Sequence, residues 1–308
     1  GLQGRDILKE IVDQGHEKDM AIIPWFEFGF MAPADSELAK RHKEWLTQRQ
    51  DGTTVWLEGN VHERVWLNPF NLEVQEFLGN LLTEIVSNYN IDGIQVDDHF
   101  GIPFDFGYDE VTVKLYQQEH NGKLPPKPPK NLKMGSNNCI VNNVAWTEWT
   151  QWRSNKITNY MGELFTSIKA ANPNVIISVS PNPQPFSANC FLLDWKQWER
   201  KGLIEELVLQ VYRENMADFE REISRPEVQE AKAHIPFGVG VLSGLKGRPV
   251  PMSRITEQVT MTRRQKFAGV SFFFYESLWN FGPKPPKERQ FMFKGIFPNI
   301  VSRPSVKN

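Results

Sequence analysis

The chain has 308 residues, enough to bury a substantial core, and its 40% apolar and 23% charged composition excludes disorder as the main state. Lys plus Arg number 35 against 37 Asp plus Glu, so the net charge is −2 and no basic block offers a nucleic-acid footprint. No run of 18 apolar residues occurs, which excludes a membrane-spanning helix by this measure.

The elements alternate along the chain. Residues 4–12 read as a helix with no strand before it. Residues 21–28 (AIIPWFEF) read as a strand, 74–88 as an amphipathic helix and 91–97 (IDGIQVD) as a second strand. A Pro, Lys, Gly and Asn-rich segment at 121–138 has the composition of irregular backbone. A helix at 146–171 follows, on which Trp146, Trp149 and Trp152 recur every three residues, a spacing that fits a packing stripe better than a ligand platform. Strands are then expected at 175–181, 207–212, 237–242 and 269–275. Helices fall at 195–205 and 255–267, and a second Pro-rich loop at 280–289.

Most of these strands are rich in Val, Ile and Phe, as strands covered on both faces are. Strand alternating with helix means βα units and a parallel sheet. Six units fit either a doubly wound sheet or a (β/α)₈ TIM barrel. Neither G-x-G-x-x-G nor G-x-x-x-x-G-K-[ST] occurs, which weakens the nucleotide-binding alternative. Polar residues close the strands instead: Glu27, Asp97-Asp98-His99, Asn182, Arg213, Ser243 and Glu276. Functional groups at the carboxyl ends of many strands are the habit of the barrel. The expected fold is therefore an α/β barrel in one domain over 1–308. Its first two strands lie upstream of this chain, so the N-terminus is expected to be incomplete.

On the strand at 91–98 side chains alternate, so Gln95 and Asp97 share one face and Val96 and Asp98 the other. Asp97 is expected to face the site and Asp98 to serve the loop or orient a neighbour. Glu27 sits among Trp25, Phe26 and Phe28, and Glu276 follows Phe274-Tyr275. Desolvation there would raise a carboxyl's pKa and suit it to act as an acid. Carboxyls closing separate strands are the usual equipment for cleaving a glycosidic bond. Asp97 is the expected nucleophile or base, with Glu27 or Glu276 as the acid. Trp25, Trp66, Tyr212 and Trp279 would stack on sugar rings, and Arg213 and Asn182 would hydrogen-bond to them.

Other chemistries find less support. Only six His are spread along the chain and no H-x-x-x-H or H-E-x-x-H motif occurs, so no metal or other cofactor is expected. The G-x-S-x-G elbow of serine hydrolases is missing. The two cysteines, Cys139 and Cys190, exclude a disulfide scaffold. Two free buried thiols are expected rather than one bridge.

These stretches resemble the glycosyl hydrolase-like 10 family of bacterial (β/α)₈ barrels. The resemblance is carried by Gly4-Arg5-Asp6, Ile23-Pro24-Trp25-Phe26-Glu27, Trp66-Leu67-Asn68-Pro69 and Ile91 through Asp98. Further on it runs through Trp152-Arg153, Ile177 to Pro181, Gln210-Val211-Tyr212 and Gly269-Val270. It implies carbohydrate hydrolysis with peptide-free peptidoglycan strands as substrate, and an extracytoplasmic location. It places Asp97 and Asp98 in the family's paired aspartates, and Asn68, Gln210 and Tyr212 among polar positions near the mouth. The strand is also similar to the D-G-x-D-x-D-x-E strand of chitinase-like enzymes, but Gln95 replaces an Asp and His99 stands where the acid Glu would be. That departure argues against chitinase chemistry through this motif and leaves His99 as a substrate contact. The alternative from another class is a glycan-binding barrel without catalysis. The oligomeric state and the glycan linkage are not legible.

Overall fold

The computed structural model describes residues 2–59, 61–130, 132 and 139–306. The chain divides into two compact units, one formed by 1–177 with 184–203 and the other by 178–183 with 204–308.

The first unit opens with α1 (Ile7–His16), capped by the Asp6 carboxylate on the Lys9 amide. β1 (Trp25–Phe26) follows, then β2 (Met31–Pro33) and α2 (Glu37–Arg41). β3 (Trp56–Glu58) and β4 (His62–Trp66) form with β2 an antiparallel sheet in the order β2-β4-β3. α3 (Leu72–Asn88) buries Val74, Leu78, Leu82 and Val86, the spacing of one helix face, and packs against the long helix at Val144–Ala171. β5 (Gly93–Asp97) pairs in parallel with β1, placing Trp25 opposite Gln95 and Phe26 opposite Val96. α4 (Glu110–Glu119) and α5 (Val144–Ala171) complete the helical cover, followed by β6 (Ile176–Ser180), α6 (Phe186–Cys190) and α7 (Trp195–Arg200).

The second unit takes over within β6. It continues with β7 (Glu206–Gln210), α8 (Met216–Ile223), α9 (Pro226–His234) and β8 (Phe237–Leu242). A short antiparallel pair, β9 (Gly244–Leu245) and β10 (Arg248–Pro249), precedes α10 (Met252–Arg264), β11 (Gly269–Phe273), α11 (Tyr275–Trp279) and α12 (Pro286–Ile296). Met252, Ile255 and Val259 of α10 pack with Phe272, Met292, Phe293 and Ile296 to build a core between β11 and α12.

The parallel strands run in the order β1-β5-β6-β7-β8-β11, so all six strands expected from the sequence form, with helices between them. No helix among the described residues is long and apolar enough to cross a membrane.

Three expectations are corrected. The loop placed at 280–289 ends at Pro285, because α12 begins at Pro286 with a proline in its first turn. Arg289 of that helix is fully buried and donates to the carbonyls of Leu278, Val250 and Ser243. The antiparallel sheet β2-β4-β3 is an insertion that the βα pattern did not announce. The cysteines are not free thiols: Cys139 and Cys190 form a disulfide with a Cα–Cα distance of 5.3 Å. Of the Pro-rich segment at 121–138, Asn131 and residues 133–138 lie outside the described residues. In the described part, Tyr108 Oη donates to the Pro126 carbonyl at 2.6 Å.

The bridge closes a loop with a sequence separation of 51 residues. Loop-closure entropy for that length is worth about 4 kcal/mol. Cys190→Ser is expected to lower unfolding free energy by roughly that amount relative to the oxidised parent. Reductant should lower the parent's urea midpoint and leave the variant's unchanged.

Candidate functional site

The end of β5 gathers the first unit's ionisable cluster. Asp97 is the last strand residue, and its Oδ1 accepts the His99 backbone N–H at 2.9 Å. That bond caps a single 3₁₀ turn over Asp98–Phe100, where the strand stops. Asp97 Oδ2 accepts the Trp25 indole N–H at 3.2 Å, delivered by the β1–β5 register.

His99 is fixed from three sides. Its Nδ1 lies 2.9 Å from the Glu27 carbonyl and 3.2 Å from Asp97 Oδ2. A carbonyl only accepts, so Nδ1 carries a proton. Its Nε2 faces Glu58 Oε1 at 3.6 Å. Glu58 comes from β3 and also accepts from Arg64 Nε of β4 at 2.8 Å. The segment after β1 reaches this cluster because of Gly29. Its φ of +52° lies in the left-handed region, and a Cβ there would sit 2.5 Å from the His99 carbonyl oxygen. Phe30 N–H donates to that same carbonyl at 2.9 Å.

Burial and charge push these groups apart. Asp97 is 1% exposed, and burial, reinforced by the neighbouring Asp98, pushes its carboxyl up to about 7. Burial alone would lower His99, but the Asp97 and Glu58 carboxyls outweigh it and raise the imidazole to about 11. The hydrogen bond from His99, aided by Arg64, holds Glu58 down at about 2. The result is an imidazolium between an anionic Glu58 and an Asp97 that exchanges its proton near neutrality. Asp98 keeps 16% side-chain exposure. One ligand atom from each of Asp97, Asp98 and His99 falls within 4.8 Å of the others, a spacing a cation can use. Both imidazole nitrogens are already turned toward protein acceptors, so a metal would have to displace Glu58 or the Glu27 carbonyl.

The remaining sequence candidates divide. Trp25 is 40% exposed and meets the cluster through its indole. Glu27 contributes its carbonyl to His99 while its side chain is exposed, so the desolvation expected among its aromatic neighbours is not there. Trp66 cannot stack on a ligand: it is fully buried, its indole donates to the Gly101 carbonyl at 2.9 Å, and Trp56 meets it edge-on. Asn68 is likewise internal, donating to Asp109 Oδ1 at 2.7 Å and accepting the Phe70 amide at 2.9 Å. Both are corrections, and the same cause serves each: Trp66 ends a strand of the antiparallel insertion and Asn68 sits two residues on.

In the second unit, Gln210 donates to the Ser180 carbonyl at 2.7 Å, and Tyr212 stacks on Phe273 with centroids 5.4 Å apart. Arg213 pairs with Glu222 at 3.2 Å. Asn182 is partly buried. Trp279 packs edge-on against Tyr275 and Phe293, and Glu276 is exposed in the first turn of α11. Glu58 and Gly29 were missed. Glu58 lies in the unforeseen sheet, where an acid in Trp56-Leu57-Glu58 reads as an ordinary exposed strand residue. A glycine directly after Trp25-Phe26-Glu27-Phe28 was a usable signal for Gly29.

Residues 1–262 match the model of the family described as Glycosyl hydrolase-like 10. Among curated relatives, the chain is 22% identical over 233 residues to glycosyl hydrolase DigH of Escherichia coli K12, covering 68% of this chain and 46% of that protein. It is 21% identical over 240 residues to glycosyl hydrolase YngK of Bacillus subtilis, covering 69% and 40% respectively. The chain thus spans under half the length of these relatives. Among solved structures, it resembles the PgaB (BpsB) glycoside hydrolase domain of Bordetella bronchiseptica with a TM-score of 0.63 at 9% identity, covering 89% of this chain and 76% of that one. At that identity the likeness is one of fold.

The two shifted acids predict opposite pH dependences. Asp97 binds its proton more tightly in the folded state between about 3.8 and 7, so its contribution to stability falls as pH rises through that window. Glu58 releases its proton more readily when folded, so its contribution is present above about 4.5 and lost as pH falls toward 2. Urea midpoints against pH should therefore show Asp97→Asn gaining on the parent from pH 4 to 7, and Glu58→Gln converging with the parent below pH 4. Differences that do not vary with pH would refute this placement of charge.

Proposed function

Because the chain belongs to the glycosyl hydrolase-like 10 family, we propose that it is a glycoside hydrolase acting on a bacterial cell-wall glycan, namely peptidoglycan strands freed of their peptides. The observation that carries this reading is the carboxyl pair closing β5, one member buried and poised near pH 7, the other partly exposed. Two carboxyls in different environments can divide the roles of proton donor and partner of the anomeric carbon.

In this reading Asp98 meets the anomeric carbon and Asp97 gives its proton to the leaving oxygen. His99 holds Asp97 through the Nδ1 and backbone N–H bonds and offsets the charge left behind. Trp25, half exposed with its indole on Asp97, offers a face to a sugar ring. One oxygen from each carboxyl of the pair lies within 4.8 Å of the other, closer than the roughly 6.5–9.5 Å that admits an attacking water between two carboxyls, so the reading calls for retention of configuration. The Cys139–Cys190 bridge supports an oxidising compartment outside the cytoplasm.

The near-complete burial of Asp97 favours a second reading, a barrel that binds the glycan without cleaving it. Incubation with peptide-free strands separates the two. Hydrolysis predicts short oligosaccharides by mass spectrometry, a loss of at least ~10²-fold in Asp97→Asn and Asp98→Asn, and a near-parental rate in Glu27→Gln. The rate should fall as pH rises through about 7, where Asp97 gives up its proton. NMR of the fresh products should show the starting anomeric configuration. Strand retention with no products from the folded parent would establish the binding module.

A further inference from the structure

The second unit holds a cavity of about 300 Å³ at the start of α10. Three arginines line it: Arg213 beyond β7, Arg248 in β10 and Arg254 in the first turn of α10. Glu214 is the one carboxylate among its lining residues.

None of the three guanidiniums is saturated by its partner. Arg213 shares Glu222 with Arg225, whose Nε lies 2.5 Å from that carboxylate. Arg248 pairs with Glu214, and both side chains are more than half exposed. Arg254 stands apart: its Nε lies 3.4 Å from Glu257 Oε2, yet its Nε and Nη1 are buried and make no hydrogen bond among the described residues. Its side chain keeps 29% exposure at the cavity wall, where an acceptor from a ligand can reach it. The helix adds to the same field. Pro251 is its N-cap and supplies no side-chain bond to the first turn, so the positive end of α10 opens where Pro251 and Arg254 line the cavity.

We propose that this cavity is a subsite for a sugar carboxylate, with Arg254 as its anchor and Arg248 at its rim. The proposal rests on the cell-wall reading above and adds the group that is recognised. Removing the peptide from a muramic acid leaves its lactyl ether ending in a free carboxylate, whereas an attached peptide turns that carboxyl into a neutral amide. A fork of arginine donors binds the first and has no charge to pair with in the second. The pocket thus supplies a physical reason for choosing strands without peptides.

Equilibrium binding of the full chain, carrying Asp98→Asn to prevent turnover, tests this with two ligands: peptide-free strands, and the same strands with their lactyl carboxylates converted to methylamides. The amidated strands should bind about tenfold more weakly, and the difference should shrink as salt rises. Arg254→Gln should weaken binding of the acidic strands about tenfold and leave the amidated ones unchanged. Arg248→Gln, at an exposed position, should act in the same direction and guards against misfolding of the Arg254 variant. Equal binding of the two ligands, arginine variants that weaken both alike, or inorganic phosphate filling the cavity without displacing the strands would each overturn the proposal. Cleavage by the unmodified chain is scored separately. Strands cleaved but bound without regard to their carboxylates would sink the subsite and leave the hydrolase standing. Carboxylate-dependent binding without cleavage would do the reverse.

Discussion

The cluster in the first unit depends on one hydrogen bond, the His99 backbone N–H to Asp97 Oδ1. It ends β5, turns the chain through Asp98–Phe100 and directs the imidazole back over the Asp97 carboxyl. Once His99 is set there, its other contacts follow. Its carbonyl accepts from the Phe30 amide, its Nδ1–H donates to the Glu27 carbonyl, and its Nε2 faces the Glu58 carboxylate. Two segments distant in sequence, residues 27–30 and the strand that carries Glu58, are therefore fastened to a single residue, and Gly29 is the position where a side chain would forbid the approach.

Electrostatics divides what sequence composition leaves alike. Asp97 and Glu58 are both carboxyls touching His99. Glu58 is held near 2 because Arg64 and His99 both face it and solvent still reaches it. Asp97 rises to about 7 because it has almost no solvent and Asp98 adjoins it. Burial outweighs the favourable imidazolium in one case and not in the other. A protein can thus keep one acid permanently charged to hold a cation and leave its neighbour free to exchange a proton near neutrality.

How much was legible follows from which residues carry a periodic signal. The parallel strands were read from apolar runs, and β8 was found to its last residue because Phe237–Leu242 is apolar throughout. β1 was expected over eight residues and spans Trp25–Phe26, since the flanking residues meet β5 and its surroundings without forming a regular ladder. The βα rhythm carries no information about an excursion inside one loop, so β2, β3 and β4 were invisible and Glu58 with them. The same blindness misassigned Trp66. An aromatic before Asn-Pro reads as a platform, but β2 and Phe106 enclose it. Alternation along β5 separated Asp97 from Asp98, and the two differ in exposure, 1% against 16% of the side chain. It could not say that the inward position would be nearly sealed, because that depends on Trp25 and His99 closing over it.

The arginine-lined cavity shows where pattern reading stops for a different reason. Arg213 follows a strand and was noticed on that account. Arg248 and Arg254 flank Pro249-Val250-Pro251, a turn that reads as a connector. Their meaning appears only when β10 and the first turn of α10 place both side chains around one space. An arginine on a surface usually finds a carboxylate or water, and most in this chain do. Arg254 pairs loosely with Glu257 at 3.4 Å, and its side chain keeps 29% exposure at the cavity wall. An oxygen pair with the spacing of a carboxylate is what a guanidinium edge is shaped to receive.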